Sequence, residues 1–307
     1  MWTHYDQVRP HSIARSTEAF MGLQSLLLFV LTASALLSLF SIGLRGSLQD
    51  ATHLLRRPGE LLRALLAMNV LMPLFAVTLI SLFDLTPAVK VALVALSVSP
   101  IPPPISAKEM KAGGTESYVI GLHIAIGVLA IIVVPLAMAI IGQTLNIPLQ
   151  ASIPGVTRVV FVSIVMPIAI GILVRWLAPA FADRVATPLT SASTVGLAVG
   201  IAIVWISAAP AMWSLVGNGT LLALTAFVLV GLALGHFLGG PVPTNRTSLA
   251  IATASRHPGV ALLLARANFP GETVVVPAVL LYLLVNLVVA LPYLAWTKRR
   301  LTQPHGR

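Results

Sequence analysis

Ser99-Pro100-Ile101-Pro102-Pro103-Pro104-Ile105-Ser106 places four prolines inside a run that is otherwise apolar for long enough to cross a bilayer. Proline lacks the backbone donor and clashes with the turn before it, so no intact α-helix passes through this stretch. Backbone groups freed at that depth are tolerated only where protein or a water-filled cavity surrounds them. Far downstream, Ala254-Ser255-Arg256-His257-Pro258-Gly259 interrupts a second apolar run and carries a cation. Two broken helices in corresponding halves of a membrane protein are the sequence mark of a transporter's binding site.

The composition fits that reading. Of 307 residues, 57% are hydrophobic and 9% charged, whereas a soluble domain carries about a quarter charged. Apolar runs recur along nearly the whole length, which defines a polytopic membrane protein embedded in the lipid bilayer. Cysteine is absent, which excludes disulfides, thiolate metal sites and thiol redox chemistry. The net charge of +10 would suggest nucleic acid if the cations clustered on one soluble face. They fall in short loops instead, so the charge reports topology and no nucleic-acid partner is expected.

Nine spans are expected, at about 19–44, 61–83, 87–111, 116–143, 155–178, 185–209, 218–239, 245–268 and 273–297, each near the ~20 residues that cross the hydrocarbon. Residues 1–18 read as a polar tail and 298–307 as a basic tail. The 45–60 connection reads as a brief interfacial helix stopped at Pro58-Gly59. With the C-terminal tail cytoplasmic, thirteen Lys and Arg lie inside and five outside, and Arg256 within the membrane completes the nineteen. That asymmetry sets the N-terminus outside and the C-terminus in the cytoplasm of a multi-pass cell-membrane protein. A half-helix and a Gly-containing turn follow both breaks, at Gly113-Gly114 and Gly271. The third span runs inward and the eighth outward, so the two halves form an inverted repeat.

Chemistry at mid-depth is limited by what is there. The nine acids all fall in tails, loops or the last turns of spans, so neither a sodium site nor a proton relay on a buried acid is expected. The deep polar groups are Arg256, His257, His123 and Lys108, with Ser99, Ser106, Thr253 and Ser255. Arg256 has two readings: a cation paired with carbonyls freed by the breaks, or the counter-charge of an anionic substrate. A half-helix beginning at Pro258 aims its positive end at the same place. His257 is either a proton-coupling group or a hydrogen-bonded partner. Lys108 is expected to snorkel toward the cytoplasmic interface. No metalloprotease helix, nucleophile elbow or phosphate loop is present, so neither an enzyme nor an ATP-driven pump is expected, and no cofactor or metal.

The residues also carry a resemblance. Gly43-Leu44-Arg45, Leu54-Leu55-Arg56-Arg57-Pro58 and Ala67-Met68-Asn69-Val70-Leu71-Met72-Pro73-Leu74 resemble the early part of the bile acid:sodium symporter family. Leu96-Ser97-Val98-Ser99-Pro100, Ser255-Arg256-His257-Pro258-Gly259-Val260-Ala261 and Val275-Val276-Pro277 do so too. The likeness runs from about residue 20 to 297 and is similar to members lacking the first of ten helices. It implies an all-α membrane fold of two bundles, a panel at 19–44 and 155–209 and a core at 61–143 and 218–297. It also implies an organic anion between them and sodium behind the crossover. The positions that the resemblance assigns to sodium ligands hold Ala252, Arg256, His257, Ile105-Ser106 and Met68. Almost every liganding side chain is therefore replaced, which leaves a proton or no coupling ion.

The sequence thus points to a secondary or facilitative transporter of a small organic anion, with a non-transporting sensor or scaffold that binds an anion in the same cavity as the alternative. Arg256 is the expected counter-charge, with Ser255, Thr253, His257 and Ser106 as hydrogen-bonding neighbours. Pro100, Pro102, Pro103 and Pro104 with Pro258 and Gly259 set the breaks.

Overall fold

The computed structural model describes residues 10–302 except Pro104 and Thr273; the expected break residue Pro104 and the chain ends beyond these limits lie outside the described residues. Among the described residues there is helix and no strand. The helices are α1 (Pro10–Gly43), α2 (Leu48–Ala51), α3 (Pro58–Leu65), α4 (Met72–Leu82), α5 (Pro87–Val98), α6 (Ile105–Lys111) and α7 (Glu116–Leu145). They continue as α8 (Ile153–Val160), α9 (Met166–Leu177), α10 (Pro179–Trp213), α11 (Thr220–Leu238), α12 (Pro243–Ala254), α13 (Pro258–Asn268) and α14 (Val275–Thr302). A π-helical turn joins α3 to α4 and another joins α8 to α9. Seven helical stretches among the described residues are long and apolar enough to cross a membrane. The pairs α5/α6 and α12/α13 are each too short for that and flank the two interruptions.

Each π turn ends just ahead of a proline. At the first, the Met72 N–H donates to the Ala67 carbonyl, five residues back. The next carbonyl in that register, Met68, would accept from residue 73, which is proline and has no N–H. The Met68 carbonyl is thus left for another donor. Widened turns of this kind recur at functional sites.

The first helix begins at Pro10, within the stretch read as a polar tail. One expectation is corrected nearby. Pro58-Gly59 does not stop a helix: Pro58 is the first residue of α3, a position where its missing N–H has no intrahelical partner to lose. The helix before it is the single turn α2, capped reciprocally by Ser47 and Asp50. Asp50 also accepts from the Ser117 hydroxyl of α7. Burial alone would raise the Asp50 pKa, but the hydrogen bonds from Ser117 and Ser47 outweigh it and hold the carboxyl below its usual range.

Small residues allow the closest packing. Along α11, Gly231, Gly235 and Gly239 face the α12 backbone at Ala254, Ala250 and Arg246, close enough that an added methyl group would meet main-chain atoms. Gly43 of α1 and Gly171 of α9 abut in the same way. In lipid, where apolar burial drives helix association little, such contacts and hydrogen bonds bring helices together. The first helix lies along α9 and α10, while α11 packs on α12, α14 and α4.

The two interrupted pairs cross. The second half of each lies beside the first half of the other, α13 against α5 and α6 against α12. Both breaks, Ser99–Pro103 and Ser255–His257, are buried in protein, which is the condition for non-helical backbone at membrane depth.

Candidate functional site at the helix crossover

A helix that stops inside a membrane leaves carbonyls without partners at its last turn. At the end of α5, Ser99 serves the last turn itself: its N–H donates to Leu96 at 3.0 Å and its hydroxyl to Ala95 at 2.6 Å. The Ser99 carbonyl takes the Nη1 of Arg256 at 3.1 Å. The Pro100 carbonyl takes the main-chain N–H of His257 at 2.9 Å. At the end of α12, the Ala254 carbonyl accepts from Tyr282 Oη and Asn286 Nδ2 of α14, each at 2.6 Å. The breaks therefore satisfy one another, with help from α14.

Arg256 is fully buried. Its Nη2 donates to the Met68 carbonyl at 3.0 Å, the one released by the π turn and Pro73. Its Nε has no hydrogen-bond partner, and no carboxylate pairs with it among the described residues. The guanidinium thus bridges two main-chain oxygens from separate elements and keeps its full positive charge at the crossover. The carbonyl-pairing reading of Arg256 describes this conformation.

His257 caps α13, its Nδ1 accepting from the Val260 N–H at 3.4 Å. That acceptor role puts the ring proton on Nε2, which donates to Ser163 Oγ at 3.2 Å. Ser163 in turn donates to the Val159 carbonyl at 2.5 Å. Both ring nitrogens are used, as in the hydrogen-bonded-partner reading. Ser255 Oγ reaches Asn286 Oδ1 at 3.4 Å, Ser106 Oγ donates to the Pro103 carbonyl at 2.9 Å, and the buried Thr253 hydroxyl has no partner. The structure ties Arg256 and the His257 main chain to the first break, while Ser255 reaches Asn286 beside the Ala254 carbonyl. Ser106 and Thr253 border the breaks without such ties.

Sequence reasoning passed over Ser163, Tyr282 and Asn286, whose only signal is a polar group on an apolar helix. It also placed Glu109 wrongly. Its position near a span's end suggested water, yet the half-helix is packed inside the molecule and Glu109 is 0% exposed. A buried acid is therefore present after all. His236, by contrast, is satisfied locally by Tyr293 Oη at 2.9 Å. A cleft of ≈ 350 Å³ opens between Pro87, Lys90, Leu149 and Phe269, but none of the crossover residues lines it.

A long-helix membrane fold with two interrupted, crossing pairs is the architecture of a secondary transporter. The chain belongs to the sodium bile acid symporter family, whose model matches residues 32–215. The match includes α5, the first break and α6, and stops short of Arg256. No curated protein matches the chain closely. Members of this family are transporters rather than enzymes.

Proposed function

We propose that this chain carries a small organic anion across the membrane by alternating access around the crossover, without sodium. One observation carries the reading: a fully buried guanidinium that no carboxylate neutralises sits where the two breaks meet. An unneutralised cation in a low-dielectric interior attracts an anion strongly, and the start of α13 adds its positive end. Arg256, with its free Nε, is the counter-charge. His257, Ser255, Thr253 and Ser106 are the neighbours that a moved backbone would free for substrate.

Sodium is a poor fit for the residues present. Positions 68 and 256, which the family resemblance sets around a sodium ion, hold a methionine and an arginine that meet directly, guanidinium to carbonyl. The Met68 and Ser99 carbonyl oxygens already accept from a tethered cation.

The finer architecture belongs to the same proposal. Counting each interrupted pair as one crossing gives nine, in two inverted halves, with the N-terminus outside and the C-terminus in the cytoplasm. The panel comprises α1 and α8–α10, and the core α3–α7 and α11–α14. Supporting this division, α1 packs on α9 and α10 while α11 packs on α12 and α14.

The test is uptake of radiolabelled taurocholate into proteoliposomes with and without a sodium gradient. Equal uptake is expected, and strict sodium dependence overturns the coupling reading. Arg256→Gln abolishes uptake, whereas Arg256→Lys, which keeps the charge, retains part of it. Full uptake by folded Arg256→Gln protein moves the anion site elsewhere.

A further inference from the structure

Glu109 on α6 is the most deeply buried acid among the described side chains, with 0% exposure, and neither carboxyl oxygen has a hydrogen-bond partner. Its Oε2 lies 3.6 Å from Nδ1 of His123 on α7, which is 1% exposed. That nitrogen also contacts the Val119 carbonyl at 2.9 Å, so in the neutral ring it carries the hydrogen. His123 Nε2 has no hydrogen-bond partner and the Pro102 carbonyl of the first break lies close to the ring. The hydroxyl of Ser248 on α12, near the Gly114 turn that ends α6, is buried and unpartnered as well.

We propose that Glu109, seated against His123, is a proton-binding site through which the chain couples anion movement to protons. A buried carboxylate with no hydrogen bonds and no neighbouring cation is costly. The conformation described here therefore holds the group as Glu109–COOH. The step is Glu109–COO⁻ + H⁺ ⇌ Glu109–COOH, with the proton taken from water on one side and returned to water on the other. One proton moving with one monovalent anion leaves the membrane potential unaffected.

The surroundings leave the proton as the charge-balancing partner. From α7, Glu109 faces His123 and Tyr118, and Tyr118 also neighbours Glu60 and Arg63. On α12, Arg246 is turned to the Gly240 carbonyl at 2.5 Å, and Glu116 lies at the first turn of α7. The described side chains of α1 include no titratable group. On α6 itself Lys108 is half-buried and forms no ion pair with Glu109 among the described contacts. Among the described residues no group of three or more His, Asp or Glu gathers there to hold a metal ion.

The proposal rests on the transport reading for its coupling, and two arms separate them. In the first, infrared spectra of the purified chain at neutral pH show a carboxylic-acid C=O band that is lost in Glu109→Gln. Identical bands in both proteins overturn the proton site whatever the chain transports. In the second, taurocholate uptake into liposomes loaded with a pH dye acidifies the lumen, and Glu109→Gln carries out uptake without acidification. Unchanged acidification in that variant, or native uptake with none, overturns the coupling. If native protein takes up no taurocholate, the substrate reading fails and the infrared arm alone decides the proton site.

Discussion

His257 donates its main-chain N–H to the Pro100 carbonyl at 2.9 Å, so each interrupted helix is closed by the other. Neither break is a stable structure alone, since each leaves polar backbone that the other removes from lipid. Arg256 adds a second tie to Ser99, one residue away from that contact.

Removing the Arg256 side chain orphans the Ser99 and Met68 carbonyls. Each unsatisfied buried group costs about 1–3 kcal/mol, so Arg256→Met is expected to destabilise by roughly 2–6 kcal/mol. The thermal midpoint of detergent-solubilised protein reads this directly, and an unchanged midpoint would show that the two hydrogen bonds contribute nothing net.

Tyr282 and Asn286 share one acceptor, the Ala254 carbonyl. Tyr282→Phe leaves the amide in place and should cost about 1 kcal/mol, as should Asn286→Ala. The double variant loses every donor and is expected to lose more than the sum of the singles. Strict additivity in a double-mutant cycle would mean that the carbonyl finds a different partner.

Close backbone approach makes Gly235 intolerant. A side chain there meets the Leu249 and Ala250 main chain, and overpacking of this kind costs about 1–3 kcal/mol. Gly59 is the control: nothing lies within 4 Å of the position a methyl group would take, so Gly59→Ala is neutral or slightly stabilising. Comparable losses in Gly235→Val and Gly59→Ala would point to a non-specific effect of losing glycine.

The Asp50 latch between α2 and α7 gives a pH dependence with a definite sign. Its carboxyl sits below the ordinary value of 3.8, so its contribution to stability is present above that value and fades as pH falls through the lowered one. Asp50→Asn should therefore be less stable than the native chain at neutral pH. The gap should close as both are acidified below the ordinary value, followed by unfolding midpoints across pH. A gap that widens on acidification contradicts the assignment.

Much of this was legible in the chain itself. Proline is the reason: a residue with no N–H dictates a break wherever it falls in an apolar run, so Pro100, Pro102, Pro103 and Pro258 mark both interruptions. Partners were harder to read. That Arg256 would meet Met68 depends on a π turn ending just ahead of Pro73, and a widened turn leaves no trace in hydropathy. Pro58 shows the opposite error, since the same residue starts a helix as readily as it ends one. Glu109 was misplaced because distance along a span stands for depth only when the span is unbroken, and the second half of this one is packed against α12 and α7.

The carbonyl of Met68 has further reach. Because Pro73 cannot serve it, some other donor must arrive from outside that helix, and here it arrives from Arg256. Restoring an ordinary residue at 73 would return the missing N–H and leave the arginine competing for an acceptor it now holds alone. A single guanidinium far along the chain thus does for this turn what its own helix cannot.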